Sequence, residues 1–533
     1  MTILSRMFRP RGILVSAALV AALGGAAHAE SRTLVIARDM DINSLDPHRA
    51  WCDTCQIFNS SAYESLVTLD KDNKIIPLLA KSWEVNPEQT QITLHLDPAA
   101  KFSDGSAVES KDVKWTFERL KNIKTSSSFM ADPITSIEIP DAQTVVLKLA
   151  SPNSEYIQIL AASYMAVMNS DVVAEHGGLA DATAVDKDTA ETWLLANSAG
   201  SGTFVLSGYE PNAELRLKRN DTYWGANKAK VPEVVFRQVK DAVAQAQMLQ
   251  SGTVDIAQQI DPETAKSLQG SAAKVEELPS LNFVYVVLSP GAKGNKVPLT
   301  PQVREAISSA IDRKGLIDLV VGGAGSEIAV PVPPGFPGAE GHKVPEYNPE
   351  HAKKLLADAG HPDGFEIESI YPDMNTYGVD FNLMMQKVQQ DLAQVGIKVK
   401  LSPVPFSNWR DAVNGDGIPL SMVFYAPDFF GTSQYIDYFG LAPGTVWAKR
   451  AGGERDPSIV NHEIRGVMDA ALAAKTPEEA AKKWFDAAEM IKKADIILPM
   501  INPSLVLAYG PNVKGVRFSP CCNTPLAEIS NDN

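Results

Sequence analysis

The sequence lacks the short motifs that most often reveal an enzyme. It contains no G-x-S-x-G, no G-x-x-x-x-G-K-[ST] and no G-x-G-x-x-G, and His462 with Glu463 has no second histidine at zincin spacing. The eight histidines are scattered, with no pair spaced as metal ligands on one helix face. We therefore expect no enzymatic activity, no cofactor and no metal site.

Basic clusters and long apolar segments are also scarce. The formal net charge is −15 without a basic patch, which argues against a nucleic-acid partner. The longest run of small and apolar residues, 12–27, follows three arginines and precedes an Ala-His-Ala cleavage pattern at 27–29. Because this run is short for a membrane anchor, we expect residues 1–29 to be a cleaved signal peptide and the mature protein to be a periplasmic monomer.

Cysteine is limited to two pairs near opposite ends of the chain, Cys52 with Cys55 and Cys521 with Cys522. Export to an oxidising compartment favours structural disulfides. Half of a zinc site or a redox-active pair remain as alternatives at this point. The spacing alone leaves the connectivity open.

Strand and helix patterns alternate through the rest of the chain. Three helix starts are marked by a capping residue followed by proline, at Thr300, Asn348 and Thr476. A chain of 533 residues exceeds the size of a single core, so two or three domains are expected. The alternation predicts an α/β protein.

Several motifs in order resemble the extracellular solute-binding proteins of family 5, the peptide, nickel and opine receptors of ABC importers. They include SLDPH at 44–48, YESLV at 63–67, KFSDG at 101–105 and the segment 349–364. The resemblance implies a type II periplasmic-binding fold, α/β, with two hinged lobes and an inserted extra domain. It also implies transient docking on an inner-membrane ABC permease.

The same resemblance implies where the chain divides. Lobe I is expected at 30–68, 198–286 and 499–533, an inserted domain II at 69–197, and lobe III at 287–498. The hinge crossings are expected near 288–290 and 498–502. Both cysteine pairs then fall in lobe I, and we expect two bridges that join the N-terminal pair to the C-terminal pair.

Aromatic residues are concentrated in one segment, 424–439. It holds seven aromatic side chains in 16 residues, together with Asp428 and Asp437. Rings beside a carboxylate suit a solute with a cationic or hydroxyl-rich end. The alternative is a buried aromatic cluster that packs two elements together.

The resemblance suggests roles for individual residues. Dipeptide receptors of the family place an Asp in this loop against the amino group of the ligand, and Asp428 occupies the matching position. Their arginine for the ligand carboxylate has no counterpart here, because 366–380 contains neither Arg nor Lys. The predicted ligand-binding residues are Asp428, Tyr425, Phe429, Phe430, Asn282, Tyr285 and Trp51.

The sequence thus predicts a periplasmic receptor of an ABC importer that binds a small polar solute, such as a peptide, an opine-like or a sugar-like molecule, in a cleft between lobes. A secreted hydrolase acting on peptides or glycans is the alternative. The absence of catalytic motifs favours the receptor over the hydrolase.

Overall fold

A computed structural model describes residues 32–532 of the chain. The predicted signal peptide therefore lies outside the described residues. Within 32–532, none of the helices is both long and apolar enough to cross a membrane. The described chain forms three main β-sheets, each covered by helices, and each sheet carries its own apolar core.

The largest sheet has seven strands and is assembled from the start, the middle and the end of the chain. Its buried first strand, Leu34–Arg38, pairs in parallel with Glu233–Gln238 and with Ile256–Ala257. We call the unit built on this sheet lobe I. In spatial order its strands are Lys274–Leu278, Leu505–Tyr509, Ile256–Ala257, Leu34–Arg38, Glu233–Gln238, Glu214–Arg219 and Phe204–Glu210.

A second sheet of six strands forms lobe III. Its central strand, Phe283–Leu288, is buried along its whole length because it pairs on both sides and is covered on both faces. In spatial order the strands are Gly325–Ser326, Ile497–Pro503, Phe283–Leu288, Leu420–Tyr425, Glu366–Pro372 and Lys398–Val404.

The third sheet is antiparallel and belongs to the inserted domain II. Its two central strands alternate buried and half-buried residues, as expected where one face is packed and the other is partly solvated. In order they are Ala80–Val85, Gln91–Leu96, Thr144–Leu149 and Ile134–Asp141. Three small ladders complete the strands: Val67–Leu69 with Ile75–Pro77, Asn375–Thr376 with Val379–Asp380, and Val513–Lys514 with Ser530–Asn531.

The three helix starts predicted from capping residues are confirmed. The side chains of Thr300, Asn348 and Thr476 each accept a hydrogen bond from a backbone N–H in the first turn, and proline follows each. The α-helices span Asp53–Ala62, Ser110–Ile123, Tyr156–Ile159, Ser170–Glu175, Ala184–Lys187, Glu191–Leu194, Ala242–Gln250, Pro262–Ser267, Pro301–Ala310, Arg313–Val321, Pro349–Asp358, Phe381–Ala393, Phe406–Asn414, Ser433–Phe439, Val446–Arg450, Ile464–Leu472 and Pro477–Lys493. Short 3₁₀ turns span Ser126–Met130, Ser163–Met165, Pro457–Ile459 and Leu526–Glu528.

The two chain crossings between lobes I and III lie side by side, but not where the sequence placed them. Strands Phe283–Leu288 and Ile497–Pro503 belong to the lobe III sheet, so the crossings fall near Ser280 and after Pro503. The Asn502 amide donates to the carbonyls of Ser280, at 3.0 Å, and Asn282, at 2.6 Å. The expected crossings at 288–290 and 498–502 are therefore wrong, because those segments lie in or against the lobe III sheet.

The cysteines pair locally. Cys52 is bonded to Cys55 at the start of helix Asp53–Ala62, and Cys521 is bonded to its neighbour Cys522. The expectation of bridges between the two ends of the chain is therefore wrong, and each sulfur is already occupied by a partner close in sequence. Neither pair ties distant segments together.

Candidate functional site

Lobe III is closed against the rest of the molecule. The backbone N–H of Ser154 in domain II donates to the carbonyl of Leu472 in lobe III at 2.9 Å, and the Gln89 amide donates to the carbonyl of Ala474 at 2.8 Å. Phe429 of lobe III is buried in the apolar core of domain II. The candidate cleft is thus seen in its closed form.

Glu155 of domain II fixes the loop that carries Asp428. Its carboxylate oxygens accept hydrogen bonds from the backbone N–H groups of Thr432 and Ser433, each at 2.9 Å. Burial raises the pKa of Glu155, while these N–H donors oppose the rise. A carboxylate from one domain therefore satisfies the first turn of helix Ser433–Phe439 in another.

Asp428 stands in this loop with its carboxylate unpaired. Its backbone N–H donates to the Gln434 side chain at 2.8 Å, but no cation in the described chain forms an ion pair with its carboxylate. Burial raises the pKa of Asp428 well above its ordinary range, and nearby Asp53 raises it further. An unpaired carboxylate in such a place favours a positively charged guest.

Lobe I presents Asp53 to the same cleft. Asp53 opens helix Asp53–Ala62, directly after Cys52. Burial and the neighbouring Asp41 raise the pKa of Asp53 to about 6, whereas Arg38 and Tyr377 lower it. Tyr377 reaches Asp53 from lobe III and has a φ of 56°, a conformation uncommon for a bulky side chain.

Aromatic rings from all three units surround these carboxylates. Trp51 of lobe I stacks on Tyr164 of domain II with ring centroids 5.0 Å apart, and meets the edge of Phe129 at 6.2 Å. Phe129 in turn lies 6.5 Å from Phe429 of lobe III. Burial raises the pKa of Tyr164, and the charges of Asp428, Asp53 and Asp41 raise it further, whereas a hydrogen bond with Gln56 lowers it.

Tyr435 adds a hydroxyl without a partner. Its side chain is fully buried, and its oxygen has no hydrogen-bond partner among the described residues. Burial raises the pKa of Tyr435, and Asp428 raises it further. The neighbouring residue, Gln434, accepts a hydrogen bond from the backbone N–H of Asp428 at 2.8 Å, so Tyr435 and Asp428 belong to the same loop and helix start. The Tyr435 hydroxyl is therefore a hydrogen-bonding group that the described residues leave free.

The structure brings together only part of the predicted site. Trp51 and Phe429 lie where the three units meet, and Asp428 directly precedes Phe429. Tyr425 packs among rings of lobe III, 5.4 Å from Tyr435. Phe430 packs 4.9 Å from Phe336 in lobe III and also touches the domain II core.

Two predicted residues lie elsewhere. Asn282 is buried at the crossing between the lobes, where its carbonyl accepts from Asn502. Tyr285 is fully buried in the lobe III core, 5.1 Å from Phe439 and 5.8 Å from Trp447. Tyr285 thus lies in the core of lobe III, and its assignment to the ligand stays a prediction.

Four residues at the site were missed from the sequence: Asp53, Glu155, Tyr164 and Tyr377. Asp53 lies between Cys52 and Cys55, and this segment was interpreted only through its cysteines, as a possible disulfide or metal pair. Glu155 and Tyr377 lie in polar stretches and Tyr164 lies in an apolar stretch, and none of these stretches carries a recognisable motif. Only the contact between the three units brings the three residues together. The short spacing between Trp51 and Asp53, an aromatic and a carboxylate, was the available signal.

Known families and proteins are similar to this chain over nearly its whole length. The family model for bacterial extracellular solute-binding proteins, family 5, matches residues 74–445. The glutathione-binding protein GsiB of Salmonella paratyphi A is 26% identical over 496 residues, covering 92% of this chain and 93% of the relative. The probable D,D-dipeptide-binding periplasmic protein DdpA of Escherichia coli K12 is 26% identical over 495 residues, covering 91% and 92%.

Solved structures share the fold. DppA from Helicobacter pylori, solved in complex with the peptide STSA, aligns with a TM-score of 0.79 at 21% identity, covering 95% of this chain and 99% of that one. AgaA of A. tumefaciens R10 with agropinic acid aligns with a TM-score of 0.76 at 24% identity, covering 94% and 99%. These likenesses confirm the α/β fold of hinged lobes and an inserted domain that was expected from the sequence.

Proposed function

Because the chain belongs to family 5 of the bacterial extracellular solute-binding proteins, we propose that it is a periplasmic receptor that closes on a solute bearing an ammonium group. It then delivers the solute unchanged to an ABC permease in the inner membrane. Export by a cleaved signal peptide and action as a monomer are parts of the same proposal. The relatives are binding proteins, and the proposal assigns no reaction to this chain.

The unpaired carboxylate of Asp428 carries this proposal. It lies in a closed, aromatic-walled cleft without a cation from the described chain, and burial raises its pKa. An ammonium group would supply the missing charge and donate hydrogen bonds to its oxygens. The faces of Trp51 and Phe129 would attract the same positive charge.

The names of the relatives support this chemistry. GsiB is named for glutathione and DdpA for D,D-dipeptides, and such molecules carry an amino group that is protonated at neutral pH. Glutathione and dipeptides also carry carboxylates. The segment 366–380 offers no Arg or Lys to clamp one here, so we place the main recognition at the ammonium end.

Lobe closure explains how such a site selects its guest. A solute that touches Asp428 in lobe III and Trp51 in lobe I binds only when both are brought together. Its binding energy therefore shifts the population towards the closed form. Exclusion of water strengthens the charge interaction in that form.

Matched pairs of amines test the proposal. The mature protein is heated with peptides and amino-sugar solutes, each alongside its N-acetylated counterpart, and the melting temperature is recorded. A bound solute raises the melting temperature by mass action, so the free amines should stabilise and the acetylated forms should not. Equal stabilisation by an amine and its acetylated form would contradict the proposal, as would recovery of a cleaved solute.

A further inference from the structure

Two unpaired carboxylates from different lobes face one cleft in the closed structure. Asp428 comes from the loop after strand Leu420–Tyr425 of lobe III, and Asp53 comes from the first turn of helix Asp53–Ala62 of lobe I. The segments that carry them converge at Phe129, whose ring lies 6.2 Å from Trp51, two residues before Asp53, and 6.5 Å from Phe429, the residue after Asp428. Two such charges in a partly desolvated site repel one another unless cations or protons balance them.

The nearest other charges are already balanced. One carboxylate oxygen of Asp41 accepts from the backbone N–H of Asp53 at 2.8 Å, and the other accepts from the backbone N–H of Thr54 at 3.0 Å. The Arg38 guanidinium lies 3.8 Å from the Asp41 carboxylate and donates to Gln258 at 3.1 Å. Arg38 also lowers the pKa of Asp53, but no cation within residues 32–532 forms an ion pair with the carboxylate of Asp53 or of Asp428.

Buried hydroxyls point into the same space. The Tyr435 hydroxyl is fully buried, has no partner within residues 32–532 and lies beside Asp428. In domain II, Tyr164 stacks on Trp51 with ring centroids 5.0 Å apart, and the charges of Asp428 and Asp53 raise its pKa further than burial alone does. The unsatisfied Tyr435 oxygen is an observation separate from the two acids, and it too indicates that a polar guest completes the site.

We propose that this cleft takes a solute with two cationic nitrogen groups, one held by Asp428 and the other by Asp53. The inference rests on the proposed function, in which one ammonium group binds Asp428. It adds the substrate class: α,ω-diamines, or short peptides that begin with lysine. In either case an apolar stem joins two cations and can lie along the rings of Trp51 and Phe129.

A single cation would leave the site unbalanced. It neutralises one carboxylate, so the other must take up a proton or remain charged in a closed cleft. A dication neutralises both and also contacts both lobes, so that it favours the closed form more strongly. Asp53 thus becomes the residue that distinguishes dications from monocations.

Titration calorimetry on the mature protein tests this assignment. The probes form two matched pairs, 1,5-diaminopentane with pentylamine and Lys-Ala with norleucyl-Ala, in which one member lacks the second cation. We expect the wild type to bind at least one dication more tightly than its monocationic partner by about tenfold or more. The pair that shows the preference identifies whether a diamine or a peptide is the source of the chemistry.

Variants separate this inference from the proposed function. Asp53→Asn should abolish the preference for the dication, so that each dication and its monocationic partner bind within about twofold of one another. Asp437→Asn is the control, because Asp437 lies in the same aromatic segment but pairs with Arg465 at 2.9 Å and is 54% exposed. It should bind as the wild type does.

Each remaining outcome overturns a defined part of the account. Equal binding of both members of each pair by the wild type overturns the dication assignment and leaves the ammonium site at Asp428 standing. An equal loss of affinity for both members of a pair in Asp53→Asn has the same consequence. If no amine of either kind binds, the proposed function fails together with the inference.

Discussion

Two carboxylates meet the same loop of lobe III and have opposite surroundings. The carboxylate of Glu155, from domain II, accepts hydrogen bonds from the backbone N–H groups of Thr432 and Ser433. Asp428, four residues before Thr432, receives no hydrogen bond on its carboxylate from the described part of the chain. Burial raises the pKa of both groups.

The difference separates a structural contact from a binding contact. Glu155 is satisfied by protein, so it holds the closed arrangement together whether or not a solute is present. Asp428 is left unsatisfied by protein, so its burial is unfavourable until a solute supplies the charge. A buried acid is therefore informative about function only after its partners have been identified.

The largest effect is expected at Asp428. Asp428→Asn removes the charge and keeps the shape, so affinity for an ammonium-bearing solute should fall by about 30-fold or more, since losing one partner of a desolvated charge pair costs about 2–5 kcal/mol. Calorimetry measures the affinity, and thermal melting of the free protein should show no loss of stability. An unchanged affinity would remove Asp428 from the site.

Glu155→Ala should show the opposite combination. It leaves two backbone N–H groups unpaired in the closed form, which costs about 2–3 kcal/mol, so the free protein should become less stable. Glu155→Gln keeps one acceptor and should lose less. Melting curves of the three proteins, recorded without solute, test this order, and equal stability of all three would show that the contact is not structural.

Lowering the pH should weaken solute binding at Asp53 and Asp428, two carboxylates without an ion-pair partner in the described chain. The pKa of Asp53 is raised to about 6 by burial and by Asp41, against the opposing effects of Arg38 and Tyr377, and burial raises the pKa of Asp428 well above its ordinary range. Solutes with two cations need both acids ionised, whereas amines stay protonated throughout this range. Their affinity should therefore fall about tenfold between pH 7 and pH 5.

The same shifts act on stability in the opposite sense. The native protein holds protons on these two acids that the unfolded chain releases near pH 4, so the stability of the free protein should decrease as pH rises from 4 to 6 on their account.

Calorimetric titrations across this range test the effect of pH on binding, and Asp53→Asn should flatten the profile of affinity against pH. A profile that is the same in Asp53→Asn would assign the pH dependence to another group.

A smaller effect should distinguish two buried tyrosines whose hydroxyls both lack a partner in the described chain. Tyr435→Phe removes a hydroxyl beside Asp428 and should weaken solute binding about threefold to tenfold, the value of one hydrogen bond. Tyr285→Phe, in the lobe III core, should leave affinity unchanged. If Tyr285→Phe weakens binding and Tyr435→Phe does not, Tyr285 contacts the solute as the sequence suggested and Tyr435 does not.

The smallest effect is expected from reducing the disulfides. Each bridge closes a very short loop, so in the chain-entropy account it restrains the unfolded state little, whereas bridges joining the two ends of the chain would restrain it strongly. Reduction should lower the melting temperature by a few degrees at most. Peptide mapping without reductant should find no free thiol and no peptide linking the segment around residue 52 to that around residue 521.

The sequence carried the family and the fold because both depend on local signals. Helix starts at Thr300 and Asn348 are readable from a cap and the proline that follows it, and motifs such as 44–48 stand in a fixed order. The loop containing Asp428 was recognisable from its concentration of rings. Each of these features lies within a single segment, so it can be recognised without knowing how the segments pack.

What the sequence did not reveal depends on how segments meet. Tyr285 looks like a binding residue in the chain, but its strand is covered on both faces in the folded protein. Glu155 has its role only because folding brings it beside Thr432, 277 residues further along the chain. Asp53 and Asp428 are still further apart in the sequence. The disulfide prediction failed for a different reason: four cysteines allow three pairings, and the distant pairing was expected, whereas each cysteine is bonded to a partner close in sequence.

Native mass spectrometry of the mature protein with a stabilising amine tests the central claim most directly. We predict a single solute bound per chain, released with its mass unchanged after denaturation, and absent from Asp428→Asn under the same conditions. A released molecule of altered mass would show that the protein acts chemically on its guest. Equal retention by wild type and Asp428→Asn would show that the cleft does not recognise its guest by this carboxylate.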